Sequence, residues 1–180
     1  MKKLFTGLII LLASAGFAHQ PFWNPGSPTL EQAYKVLEPG VSKVVTSQLN
    51  AGQLGFYVLE LSAGFVLDLG LFVGAACPPA FQPRMWLVGP GFQGNARPPF
   101  PTPEGMEARV FSGGWRDYRG HGLVARKGPE FRERLSGGTY YVVVEAGNAA
   151  GYYMISLGGS EVPGGTPEGR AALGRFNRCS

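Results

Sequence analysis

Past residue 18, short runs of apolar and β-branched residues alternate with breaks rich in glycine and proline. Val41 to Leu49 and Phe56 to Leu61 come first, then Phe65 to Val73 and Met85 to Val88. Ala108 to Phe111, Leu123 to Arg126, Phe131 to Leu135, Thr139 to Glu145 and Tyr152 to Leu157 complete the series. Runs of this length between turn signals predict an all-β fold, an antiparallel β-sandwich of jelly-roll-like type with about 8–9 strands. The third run is the clearest. Phe65, Leu67, Leu69, Leu71 and Val73 share one parity, and Asp68 and Gly70 share the other, so Asp68 should face water. In the Thr139 run both parities are apolar (Tyr140, Val142 and Val144 against Tyr141 and Val143), which predicts a central strand covered on both sides.

Two stretches stand outside this pattern. Residues 89–106 carry five prolines and exclude both a helix and a central strand. Long loops of this kind in compact domains are often functional. Phe92 and Phe100 within it are either anchors or a contact surface. After Leu157 the chain reads as a Gly/Pro-rich linker and a short basic tail over residues 159–180. Within it, Thr166 as N-cap and Pro167 at the first helical position predict a short helix reaching Phe176. Its length makes it marginal on its own.

The amino-terminal segment changes the remaining counts. Lys2 and Lys3, the apolar Leu4 to Leu12 and the small-residue Ala13 to Ala18 have the layout of a secretory signal peptide. It is shorter than the roughly 20 residues that span a bilayer, and no later run is longer. The expectation is a leader over 1–18, a sandwich domain over 19–158, and a periplasmic or secreted protein with no transmembrane span once the leader is removed. Cleavage after Ala15 or after Ala18 both satisfy the pattern; the second makes His19 the first mature residue. Glycine (28) and proline (15) make up about a quarter of the 180 residues, and charged residues only 16%. That composition excludes a coiled coil and a charged disordered tail. Cys77 and Cys179 are an even pair in an oxidising compartment. A disulfide between them is the expectation, and two unpaired thiols the alternative.

Two segments carry a family resemblance. The stretch from Phe56 to Val73, FYVLELSAGFVLDLGLFV, pairs with Leu135 to Leu157, LSGGTYYVVVEAGNAAGYYMISL. Gly138-Thr139-Tyr140-Tyr141-Val142, and Gly151-Tyr152-Tyr153 with Leu157, make this part of the chain resemble the bacterial pre-peptidase C-terminal (PPC) type of β-sandwich. The resemblance implies an accessory, non-catalytic module on an exported protein. Where that family has an acidic cluster, this chain has Pro83-Arg84-Met85-Trp86, so an acid-lined calcium site is not carried over.

Among catalytic signatures, G-x-S-x-G, H-E-x-x-H and the P-loop lysine are absent from the sequence. Gly89-Pro90-Gly91-Phe92-Gln93-Gly94 matches G-x-G-x-x-G literally. Pro98, Pro99 and Pro101 forbid the helix that a dinucleotide site needs directly after it. Glu130 and Glu133 have opposite parity and should face opposite sides of their strand, which does not suit a hydrolytic carboxylate pair. The reading therefore leans away from an enzyme and names no catalytic residue.

Two constellations remain. The block from Arg109 to Arg134 carries seven basic residues against three acids. Inside it, Trp115, Arg116, Tyr118 and Arg119 interleave aromatic rings with guanidinium groups. Such groups stack on sugars and grip carboxylate or phosphate, so this strip is the candidate binding surface. The leading expectation is a non-catalytic binding or envelope-associated module without a cofactor. Its partner would be an anionic glycan, a lipid headgroup or a protein surface; export argues against nucleic acid. The alternative is copper. A mature His19 offers an amino nitrogen and an imidazole, and His121 adds a third nitrogen, a set that suits Cu(II). This resembles the histidine brace of copper-dependent polysaccharide monooxygenases and of some periplasmic copper-binding sandwiches.

Overall fold

The computed structural model describes residues 19–91 and 93–180. The leader expected over 1–18, with both of its cleavage points, and Phe92 lie outside the described residues. In chain order the strands are β1 (Gln20–Trp23), β2 (Tyr34–Lys35), β3 (Lys43–Leu49), β4 (Leu54–Leu61), β5 (Val66–Gly74) and β6 (Arg84–Gly89). They continue as β7 (Glu107–Phe111), β8 (Arg116–Gly120), β9 (Leu123–Arg134), β10 (Gly138–Glu145) and β11 (Gly151–Leu157), and helix α1 (Pro167–Arg178) follows. Two sheets form the sandwich. One has six strands in the order β1-β3-β11-β5-β9-β8, the other five in the order β2-β4-β10-β6-β7.

The all-β sandwich is the class expected from the alternation, with differences at its margins. Two edge pairings, β1 on β3 and β2 on β4, are parallel, so both sheets are mixed. The two runs read as Leu123 to Arg126 and Phe131 to Leu135 are one strand. Gly128 and Pro129 between them form a bulge opposite Leu71, where the β5–β9 register shifts. A bulge is one of the few places a strand tolerates proline.

Side-chain parity behaves as the alternation predicts. Leu67, Leu69, Leu71 and Val73 are buried in the main core, and exposed Asp68 pairs with Arg132 at 3.3 Å. Glu130 and Glu133 do diverge: Glu130 pairs with Arg116 and Lys127, and Glu133 with Arg109 of the opposite sheet. Strand β10 lies between β4 and β6 and is covered on both faces. Tyr140, Val142 and Val144 join the main core, and Val143 joins a second cluster with Phe56, Trp86 and Phe100. Phe100 answers the question of the proline-rich loop. Its ring meets Phe56 and Trp86 edge-on at 5.3 and 5.8 Å, so the loop is anchored over the outer face of the five-stranded sheet.

The carboxy-terminal tail docks. Thr166 accepts a hydrogen bond from the Gly169 amide at 3.0 Å as the N-cap, with Pro167 next, and the helix runs two residues beyond Phe176. It packs on β1, β3, β11, β5 and β9, with Ala172 and Phe176 wholly buried. The sulfurs of Cys77 and Cys179 are at bonding distance, with their Cα atoms 5.0 Å apart, and this bridge pins the end of the helix beside β5. No helix among the described residues is long and apolar enough to cross a membrane.

Candidate functional site

The β8–β9 hairpin closes on two residues, His121 and Gly122, since Gly120 pairs with Leu123. Both take positive φ, 49° and 73°, as a tight I′-type hairpin demands. Glycine supplies this freely, and histidine is among the few side chains that enter the left-handed region readily. The turn holds the His121 imidazole, exposed, at the hairpin tip.

His19 precedes β1. The Gln20 amide donates to the Ser42 carbonyl at 2.9 Å, which fixes the chain here against β3. The His19 Nδ1 is hydrogen-bonded to the Ser42 hydroxyl. The linker before α1 closes over this end: the Gln20 side-chain amide donates to the carbonyls of Val162 and Pro163 at 3.1 and 3.3 Å. The linker residue Glu161 therefore lies near enough to His19 to act on it electrostatically.

These two segments, 102 positions apart, bring His19 and His121 together with ring centroids 5.3 Å apart and planes inclined at 72°. Burial pushes the His19 imidazole below its ordinary value of 6.5, and a charge on His121 pushes it the same way, while Glu161 acts against both. His19 is thus biased toward the neutral imidazole, the form that ligates metals. A metal bound at ~2.0–2.1 Å to one nitrogen of each ring puts the centroids ~4.5 Å apart at a right angle and ~5.2 Å apart at the tetrahedral angle. The observed separation lies close to the wider of the two.

The pair is not a complete metal centre. Among the described residues no group of three or more His, Cys, Asp or Glu side chains is placed to hold a metal. In a histidine brace the third nitrogen is the amino group of a chain that begins at His19. An N-terminal histidine chelates through its amino nitrogen and Nδ1, because only those two close a six-membered ring with the metal. Here Nδ1 is engaged by Ser42, so a brace requires exchange of that hydrogen bond.

The other candidates are placed differently. Trp115 is half-buried with its ring flat over Gly128, where a Cβ would come within 2.6 Å of it. Arg116 donates to Glu130 at 2.5 Å, and Tyr118 stands edge-on to Phe72 at 5.1 Å. Arg116 and Tyr118 share one parity of β8; exposed Arg119 has the other. The strip is therefore divided between two faces of an edge strand. Sequence reasoning did not single out Ser42 and Glu161, which orient and tune His19. They lie 23 and 142 positions from it, and only the parallel β1–β3 pairing and the docked linker bring them close.

The chain matches no protein-family model and no curated protein.

Proposed function

We propose that this protein is an exported β-sandwich that binds a divalent transition-metal ion between His19 and His121. Cu(II) is the first to test because it stands highest in the affinity order of such ions, and Zn(II) the second because the ring separation fits its tetrahedral angle. The observation that carries the reading is the 5.3 Å approach of two imidazoles from opposite parts of the sequence. The disulfide is compatible with an oxidising compartment. An accessory, non-catalytic role, as the PPC resemblance implies, fits a metal carrier. Binding of an anionic glycan, headgroup or protein surface by Trp115, Arg116, Tyr118 and Arg119 ranks second. In that strip the Trp115 ring is already packed on Gly128 and the Arg116 guanidinium is already paired.

The test is calorimetric titration of Cu(II) into protein processed to begin at His19. We expect His121→Ala to weaken binding by about tenfold or more, as loss of one ligand should. A Gly-Ser extension before His19 distinguishes the two forms of the site: loss of affinity assigns the amino nitrogen as a ligand, and unchanged affinity assigns the two imidazoles alone. Equal affinity of the parent and His121→Ala overturns the metal reading.

A further inference from the structure

A cavity of about 170 Å³ opens where the edges of the two sheets diverge, between β1, β2 and the start of β3. Its apolar wall includes Phe22, Val36 and Val45, and Leu37, 61% exposed, stands at its rim. Of its three charged members, Lys35, Glu38 and Lys43, the last is unusual. Lys43 shares the inward parity of Val45 and Leu49 and is only 4% exposed. Its ammonium donates to the Glu38 carbonyl at 3.0 Å, one acceptor for a group with three donors. None of the ion pairs among the described residues includes Lys43. The Glu38 carboxylate raises the affinity of this amine for its proton, but burial outweighs it and leaves the amine a weaker base than usual.

Glu38 is one of three described non-glycine residues with positive φ, at 48°. That conformation directs its carbonyl to both Lys43 and the Val41 amide, while its side chain is exposed. Lys35, also exposed, stands in the same wall. The cavity therefore combines apolar walls, a buried cation with one protein acceptor, a second cation at the rim and the exposed carboxylate of Glu38. A buried ammonium whose nearest counter-charge is the exposed Glu38 carboxylate, with no ion-pair contact, is costly, and an anion that enters beside it relieves part of that cost. The volume is close to the ~150 Å³ that accommodates one benzene.

We propose that this cavity binds a small organic carboxylate. The carboxylate pairs with Lys43, and a hydrocarbon part of about six carbons lies against Phe22, Val36 and Val45. The cavity contains neither histidine but its wall includes Gln20, which adjoins His19, so the test is run in EDTA to keep metal out of the measurement. Hexanoate and hexan-1-ol are titrated into the disulfide-bonded protein at pH 7 by calorimetry. We expect hexanoate to bind about tenfold or more tightly than the alcohol, the difference a charge-assisted contact supplies. Lys43→Met should erase that difference, with thermal unfolding as the control for folding. Leu37→Glu, at an exposed position where the fold is not at risk, should weaken hexanoate severalfold by repulsion at the rim and leave hexanol unchanged. Equal binding of acid and alcohol, failure of hexanoate to bind at millimolar concentration, or full retention of the preference in Lys43→Met would each overturn the proposal.

Discussion

Two tyrosines meet in the middle of the sandwich. Tyr57 from one sheet and Tyr153 from the other are wholly buried, with their hydroxyl oxygens 2.8 Å apart. Burial pushes Tyr153 up to about 12 and Tyr57 well above its ordinary value. The folded state therefore keeps its protons where the unfolded chain, ionising near 10, gives them up. Stability should decline as pH rises from 10 toward 12, and urea titrations across that range should show a shallower decline for Tyr153→Phe. At neutral pH the same variant should cost about 1–2 kcal/mol, because a buried hydroxyl loses its partner. The histidine pair works at the other end of the scale. His19 is depressed below 6.5, so the unfolded chain takes up its proton first as pH falls. Melting temperature should drop as pH falls below 6.5 and level off below the depressed value, and His121→Asn should reduce that drop in part, since burial is the larger cause. A third residue-scale test concerns Gly128. A methyl group there meets the Trp115 ring at 2.6 Å, so Gly128→Ala should cost about 1–3 kcal/mol by overpacking and expose the indole, read as a red shift in fluorescence.

At the scale of elements, strand alternation was legible wherever one face is buried. Strand β5 declared itself by alternation, and β3, β4, β6, β7, β10 and β11 as short apolar or β-branched runs between turn signals, several of them covered on both faces. Strands β1, β2 and β8 did not. β2 has two residues, and β8 reads Arg-Asp-Tyr-Arg-Gly, an edge strand whose partners lie on one side only. The division of β9 was misread because Gly128-Pro129 is a stop signal locally and a bulge once β5 supplies the pairing. Of the candidate site, both histidines were legible as residue types. Their approach was not, since it depends on a hairpin tip and a linker that only the topology places. Lys43 was hidden in plain alternation: it has the parity of Val45 and Leu49, which is the signature of a buried cation. Helix α1 was legible through its Thr-Pro start, and its stability comes from docking rather than propensity. Thr166→Ala should cost about 1 kcal/mol through loss of the cap, and Phe176→Ala about 3–5 kcal/mol through the cavity it leaves. Urea denaturation distinguishes the two.

The whole molecule is held at long range. Cys77 and Cys179 are separated by 102 positions, and a bridge across a loop of that size contributes ~4–5 kcal/mol by restricting the unfolded chain. Cys179→Ser should lose most of this and also loosen α1, which covers β1. Amide exchange should therefore accelerate in β1 before it does in β10, the central strand of the other sheet. Against denaturant, the reduced protein should unfold earlier than the oxidised one by a comparable amount.

Strand β1 sits between β3 and the final helix, and that arrangement has a temporal side. A ribosome finishes Trp23 about 155 residues before it finishes Arg178, an interval of roughly ten to thirty seconds at ordinary elongation rates. Throughout it, one of the earliest strands waits without its cover and with an edge open to other chains. Whatever holds the nascent polypeptide apart from its neighbours has to act on its beginning until its end is made.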